Sequence, residues 1–226
     1  MKIFAVIPSG GIGSRANASM PKQYIRFDGK ELIAHTLEIF QNCDLIDEIA
    51  VAVQKDYSIL LKEIKEKYSL TKLANIIEGG EERQYSVFNA LKSLNASNED
   101  LIVVHDAVRP LLPRDVLTRA IDAAKESGSA VVALKAKDTL IQGNETVTAY
   151  VDRKEYYYAQ TPQIFSYKIL IEAMTKANED KFLGTDESML VHRLGHKIRI
   201  VEGSSLNFKI TSRDDIKLFQ KITEHI

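Results

Sequence analysis

Short, wholly apolar runs alternate with amphipathic stretches from the first residues onward. Residues 3–7, 49–53 and 101–104 contain no polar side chain, which predicts strands buried on both faces, as in a parallel sheet covered by helices. Residues 31–40 place Leu32, Ile33, Thr36, Ile39 and Phe40 on one helical face, and residues 83–94 do the same with Val87, Ala90, Leu91 and Leu94. The same period predicts helices over 57–68, 114–125, 167–176, 186–194 and 212–222, the last with Ser212 as its N-cap. Strands are predicted over 75–77, 130–134 and 198–201. This β-α-β rhythm implies an α/β fold with a doubly wound, mainly parallel sheet, whose ligands lie outside the carboxyl ends of its strands.

The rhythm lapses over 135–152. There Thr139, Thr146, Val147, Thr148 and Val151 surround Gly143-Asn144, a pattern of a two-stranded excursion rather than a helix. With no repeat, low-complexity tract or linker, the expectation is one domain over 1–226 with a projecting β-arm at about 136–155.

Composition narrows the partners. Among 226 residues, 30 are Lys or Arg and 31 Asp or Glu, a formal net charge of -1, so the electrostatic footprint of a nucleic-acid binder is missing. Cys43 is the only cysteine; it excludes an intramolecular disulfide and a multi-cysteine metal site and reads as a small buried hydrophobe. The apolar start breaks at Pro8 and Gly10, short of a signal peptide, and no stretch approaches the roughly 20 apolar residues of a membrane span. A soluble, cytoplasmic chain without a membrane partner is expected.

Candidate chemistry begins at Pro8-Ser9-Gly10-Gly11-Ile12-Gly13-Ser14-Arg15. Glycines straight after a buried strand let the backbone approach a bulky anion and aim several N–H groups at it. Gly11 to Ala16 even fits the dinucleotide pattern, which would make the chain an oxidoreductase. Pro21 arrives eight residues after Gly13, however, where that motif needs a helix interior. A phosphate loop of the Gly-Lys-Ser/Thr type is absent as well. A glycine loop with Arg15 and Lys22 remains, two cations suited to neutralising phosphate. Asp106, after the strand at 101–104, has the chemistry to accept ribose hydroxyls or to position a magnesium ion. His35, His192, His196 and His225 form no ligand constellation, so zinc is not expected. Tyr156, Tyr157 and Tyr158 read as packing in a half-buried strand, and the charged run at 62–67 as a solvated helix face.

Taken in order, several motifs resemble those of the polyol-phosphate cytidylyltransferases over residues 3 to about 215. They are the glycine loop with Arg15, Pro21-Lys22-Gln23, Gly79-Gly80 with Arg83 and Ser86-Val87, and His105-Asp106-Ala107-Val108-Arg109-Pro110. Asp138-Thr139, Asp152-Arg153, Gln160-Thr161-Pro162-Gln163, Thr185-Asp186-Glu187 and Asn207-Phe208-Lys209-Ile210-Thr211 complete the set. The resemblance implies a Rossmann-like nucleotidyltransferase that uses CTP and magnesium, works as a homodimer, and transfers CMP to a polyol phosphate with release of pyrophosphate. It implies that Arg15 and Lys22 stabilise the triphosphate in the transition state, and that Arg153 and Lys209 hold the acceptor phosphate. Pro8, Ser9, Gly10, Gly11, Gly13, Gly80, Ser86, Asp106 and Ala107 are then the nucleotide site, with Arg109, Thr139 and Thr161 towards the acceptor. The arm carrying Thr139 and Arg153 would serve the partner chain. Asp152-Arg153, Arg83-Gln84-Tyr85-Ser86-Val87 and Val201-Glu202-Gly203 favour 2-C-methyl-D-erythritol 4-phosphate as acceptor. Ribitol 5-phosphate is the alternative, towards which Val108 leans, and Ile141 stands where many erythritol enzymes carry lysine. Retention of Arg15, Lys22, Arg153 and Lys209 together speaks for an enzyme rather than a nucleotide sensor.

Overall fold

The computed structural model describes residues 1–10, 20–27 and 29–224. In chain order the elements are β1 (Ile3–Ser9), β2 (Arg26–Phe27), β3 (Lys30–Glu31), α1 (Leu32–Gln41), β4 (Glu48–Val53), α2 (Ser58–Lys67) and β5 (Leu73–Glu78). They continue with α3 (Arg83–Ser93), β6 (Leu101–Val104), α4 (Arg114–Ser127), β7 (Ser129–Lys135), β8 (Leu140–Gly143), β9 (Val147–Val151) and β10 (Tyr157–Ser166). The chain closes with α5 (Tyr167–Glu179), α6 (Glu187–Arg193), β11 (Arg199–Glu202) and α7 (Arg213–Thr223).

A seven-stranded sheet runs in the order β11-β7-β10-β6-β1-β4-β5. β1 is parallel to β4 and β6, β4 to β5 and β11 to β7, while β10 is antiparallel to both neighbours. The expected doubly wound, mainly parallel sheet is therefore present, with one strand reversed. Strands β1, β4 and β6 at its centre are almost wholly apolar because both faces are covered. Ile3, Ala5, Ile7, Val51 and Val103 pack with α1, α2 and α4, and Phe4, Val6, Ala50, Ile102 and Val104 pack with α3, α5 and α6. Cys43 lies in the first of these layers, 3% exposed. Ser212 caps α7 through a complete capping box with Asp215, as its place before the periodic run predicts.

β10 departs from the expected rhythm. It is the longest strand and passes straight through Gln160-Thr161-Pro162-Gln163, although proline normally argues against an inner strand. The register resolves this: against β7, Ala159 faces Ala133 and Gln163 faces Val131, so Gln160, Thr161 and Pro162 bulge opposite Val132 alone. A bulge does not need the missing N–H and turns its side chains out of the ladder.

The expected arm is a β8–β9 hairpin, with Leu140 opposite Val151 and Ile141 opposite Tyr150. Ile141, Val147 and Tyr150 are exposed on it. At its base Tyr156, Tyr157 and Tyr158 are 50%, 42% and 48% exposed, which corrects their reading as packing residues. They precede the point where β10 enters the sheet interior, and about half of each stays open to solvent.

Candidate active site

The parallel strands β1, β4, β5 and β6 release their chains at one edge of the sheet, and β10, running the other way, enters there. Opposite strand directions thereby bring residues 9–10, 54, 79–80, 105–109 and 160–163 together. Within β10, Gln163 sits opposite Val104, the last residue of β6, so Thr161 projects beyond that end towards His105 and Asp106.

Asp106 is the centre of this edge. Its Oδ1 accepts from Arg83 Nε at 3.1 Å, and its Oδ2 faces Arg109 Nε at 3.2 Å and Lys209 Nζ at 3.1 Å. Burial alone would raise the Asp106 carboxyl; the Arg83, Lys209 and Arg109 charges override it and hold the group below the ordinary carboxylate range. Arg83 also donates through Nη1 to both oxygens of Glu187, at 2.7 and 2.9 Å. Arg109 Nη1 donates to the Asn207 carbonyl at 2.7 Å, so the loop that carries Lys209 is tied to the same cluster. Three cations against two carboxylates leave one net positive charge beside a sheet edge, the electrostatics of a phosphate site.

Thr161 and His105 fix the Asp106 backbone. His105 Nε2 lies 3.1 Å from the Arg109 carbonyl, which only accepts, so Nε2 carries the proton. Its Nδ1 then accepts from the Thr161 hydroxyl at 3.0 Å, and Thr161 Oγ1 accepts from Asp106 N at 3.1 Å. His105 is fully buried, and burial pushes its imidazole down to about 4. In the unfolded chain the ordinary value is 6.5, so the unfolded state binds the extra proton first as pH falls. The stability tied to neutral His105 is therefore complete above pH 6.5 and is lost on descent through 4. We expect urea unfolding to show about 3 kcal/mol less stability at pH 4 than at pH 7 from this group. His105→Asn should remove that share; an unchanged acid slope in the variant would dismiss it.

The nucleotide-side residues gather at the head of β1. Ser9 is buried and its carbonyl accepts from Gln23 Nε2 at 2.9 Å, while the Gly10 carbonyl accepts from Gln54 Nε2 at 2.9 Å. A Cβ on Gly10 would stand 2.9 Å from Ser86 Oγ, and one on Gly80 would stand 2.3 Å from Tyr85 Cβ. Both glycines are required by close approach of backbone to α3. Ser86 Oγ accepts from Gly80 N at 3.1 Å and donates to the Glu82 carbonyl at 3.2 Å, which shapes the 79–80 turn. Pro8 lies one residue inside β1, and the Ala107 carbonyl accepts from Thr36 Oγ1 at 2.9 Å.

The structure thus brings together Pro8, Ser9, Gly10, Gly80, Ser86, Asp106, Ala107, Arg109, Thr161 and Lys209. Lys22 opens a one-turn 3-10 helix, Lys22–Tyr24, braced against Ser9. Thr139 and Arg153 are exposed on the arm, without a hydrogen bond or ion pair to the Asp106 cluster among the described residues. Gly11, Gly13 and Arg15 lie outside the described residues. Arg83, Glu187, His105 and Asn207 are site residues to which the sequence assigned no role of their own; all four stood inside quoted motifs, which was the one available signal.

Asp106 does not have the surroundings of a metal ligand, since both of its oxygens face cations. Among the described residues no group of three His, Cys, Asp or Glu is placed to hold a metal ion. No helix of the described residues is long and apolar enough to cross a membrane.

Comparison with known proteins bears on the family and the fold. The family model described as 2-C-methyl-D-erythritol 4-phosphate cytidylyltransferase (IspD) matches residues 3–225. The enzyme of that name from Syntrophus aciditrophicus (strain SB) is 41% identical over 220 residues, covering 96% of this chain and 94% of its own. A relative of the same name from Geobacter metallireducens is 41% identical over 222 residues, covering 96% of both chains. Among solved structures, the 4-diphosphocytidyl-2C-methyl-D-erythritol synthase of Anaerococcus prevotii superposes with a TM-score of 0.86 at 29% identity, covering 99% of this chain and 96% of its own. The 2-C-methyl-D-erythritol 4-phosphate cytidylyltransferase of Thermus thermophilus does so with 0.82 at 31%, covering 99% and 100%. On the full-length family match, the relatives and the shared fold, this chain belongs to the 2-C-methyl-D-erythritol 4-phosphate cytidylyltransferase family.

Proposed function

We propose that the cytidylyl transfer of this family takes place at the Asp106 edge, with the nucleotide on one side of that carboxylate and the acceptor phosphate on the other. The reaction joins CTP and 2-C-methyl-D-erythritol 4-phosphate into 4-diphosphocytidyl-2-C-methyl-D-erythritol and pyrophosphate, a step in isoprenoid precursor synthesis. The single observation that carries the placement is the convergence of Arg83, Arg109 and Lys209 on Asp106 beside the head of β1.

Gly80 and the turn shaped by Ser86 receive the cytosine, and Asp106 and Ala107 the ribose. Pro8, Ser9, Gly10, Gly11, Gly13, Arg15 and Lys22 line the triphosphate. An oxygen of the acceptor's phosphate attacks the α-phosphorus in line; the new O–P bond forms as the bond to the β-phosphate oxygen breaks and pyrophosphate leaves. The nucleophile is already an anion, so no general base is needed, and positioning with charge neutralisation supplies the rate. Lys209 is 40% exposed, and Asp106 is its one ion-pair partner among the described residues. It can turn to the acceptor phosphate, whose charge exceeds that of one shared carboxylate. Thr161, whose hydroxyl donates to His105, and Arg109, whose Nε and Nη1 hold Asp106 and the Asn207 carbonyl, act by placing Asp106 and the Lys209 loop. Magnesium would come as part of the CTP substrate and would supply charge neutralisation there.

The arm completes the site of a second copy. An isolated two-stranded hairpin is marginal in water, and this one exposes Ile141, Val147 and Tyr150 above the exposed Tyr156, Tyr157 and Tyr158. Those faces suit burial in a homodimer, with Thr139 and Arg153 delivered to the partner's acceptor phosphate. Mixing inactive Lys22→Ala and Arg153→Ala homodimers should then restore about a quarter of wild-type activity, because half of the dimers would hold one intact site. Failure to complement after proven subunit exchange would place Arg153 in its own chain's site.

The whole reading is tested by pyrophosphate release from magnesium CTP with 2-C-methyl-D-erythritol 4-phosphate and, separately, ribitol 5-phosphate. Turnover with the first acceptor alone is expected. The family match favours it despite Val108 and Ile141, which then count as variation within the family. Turnover with ribitol 5-phosphate alone would overturn the acceptor and keep the site.

A further inference from the structure

Asp106 is only as well placed as the groups that hold it, and one of these is itself held by a buried acid. Arg83 spans two carboxylates: Nε reaches Asp106 and Nη1 reaches both oxygens of Glu187. A guanidinium is planar and rigid, so fixing Nη1 also fixes the direction of Nε. Glu187 is 1% exposed, and Arg83 is its sole ion-pair partner among the described residues. Burying a carboxylate is costly, and an apolar pair of similar volume is commonly as stable as a buried ion pair. Stability alone therefore does not account for a charge there.

The placement of Glu187 is referenced to the same strand end as Asp106. Gln163 on β10 is buried and faces Val104, two residues before Asp106. Its Nε2 donates to Asp186 Oδ2 at 2.9 Å, and its Oε1 accepts from Ser188 N at 2.8 Å. One side chain thus grips both neighbours of Glu187, and Asp186 caps α6 through Met189 N. The path from Val104 through Gln163, the first turn of α6, Glu187 and Arg83 to Asp106 closes into a ring. We infer that Glu187 is a positioning residue, which acts through Arg83 to hold Asp106 Oδ1 towards the nucleotide while Oδ2 exchanges Lys209 for substrate. The inference rests on the reading that Asp106 faces the CTP ribose.

The experiment is a coupling measurement. Calorimetric Kd values for CTP, and KM values for the acceptor, are compared for wild type, Glu187→Gln, Asp106→Asn and the double variant, with thermal melting of each. Glu187→Gln is expected to weaken CTP about 10- to 100-fold, with the acceptor KM changed less than about twofold, and to add less than about twofold in the Asp106→Asn background. Fully additive losses, or equal damage to both substrates, would overturn the inference. Should Glu187→Gln fold poorly, Arg83→Gln/Glu187→Gln removes both charges; melting should recover while CTP binding stays weak. Recovery of both would reduce the pair to a structural role and overturn the inference too. If Asp106→Asn leaves CTP binding intact, the nucleotide reading of Asp106 fails and takes this inference with it. If Asp106→Asn weakens CTP and Glu187→Gln does not, the inference alone fails.

Discussion

Asp106→Ala is expected to destabilise the fold by about 3–5 kcal/mol, the range for removing one partner of a buried ion pair, as well as to abolish CTP turnover. Arg109 decides the size of this loss. Its side chain is 11% exposed, and after the substitution its Nε faces an empty space while Nη1 stays fixed on the Asn207 carbonyl. Lys209 escapes to solvent at little cost, being 40% exposed, and Arg83 keeps Glu187. Asp106→Asn retains the shape and one acceptor, and should lose clearly less. A urea midpoint for Asp106→Ala within the error of wild type would show that the three cations relax freely and that the cluster is not built in advance of substrate.

Acid separates this contribution from that of His105. The Asp106 carboxyl is held low in the fold, so its share of stability is complete above the ordinary value near 3.9 and is lost as pH falls below that towards the depressed one. Wild type and Asp106→Asn should therefore converge only in strong acid, beneath the window in which neutral His105 acquires its proton. One pH series of urea unfolding reads both groups.

What the sequence made legible follows the range of the interactions involved. The strands β1, β4 and β6 show in the sequence because burial on two faces excludes polar residues from a short contiguous run, and Ser212 shows because a capping box lies within four residues. Only the tyrosine-rich start of β10 showed as strand; its inner part did not, because it includes Gln160, Thr161 and Gln163, buried polar side chains whose partners are Ser204, His105 and Asp186. No local pattern distinguishes such residues from a polar loop. The same holds for the site. Gly80, Asp106, Arg109 and Lys209 sit in compact motifs, whereas Arg83 and Glu187 meet across 104 positions, and Arg109 and Asn207 across 98. The exposed tyrosines at 156–158 misled because alternation of burial, not aromatic content, marks a packed strand, and three in succession must present both faces.

Lys22→Ala should lower kcat by about 10²–10³-fold, the effect of removing one preorganised donor to transition-state charge, with CTP affinity changed far less. The scaffold around Lys22 is what makes this a clean measurement. Pro21 precedes the 3-10 turn, Gln23 Nε2 holds the Ser9 carbonyl, and Tyr24 is buried, its ring stacked on Tyr57 at 4.7 Å and its hydroxyl 3.4 Å from Ser9 Oγ. Burial of Tyr24 pushes its phenol up to about 12, so this brace does not titrate in the working range. Removing the Lys22 ammonium leaves these contacts in place, and thermal melting of the variant reports any stability the ammonium itself supplies. The head of β1 then remains a rigid platform for the triphosphate, missing one charge. Ground-state CTP keeps its other contacts, whereas the charge that moves onto the departing pyrophosphate loses a partner. Single-turnover rates at saturating CTP report that loss directly, and Lys22→Arg should recover part of it because charge returns with altered geometry. A normal single-turnover rate with weakened CTP binding would make Lys22 a ground-state binding residue and transfer the stabilisation of pyrophosphate to other cations of the site.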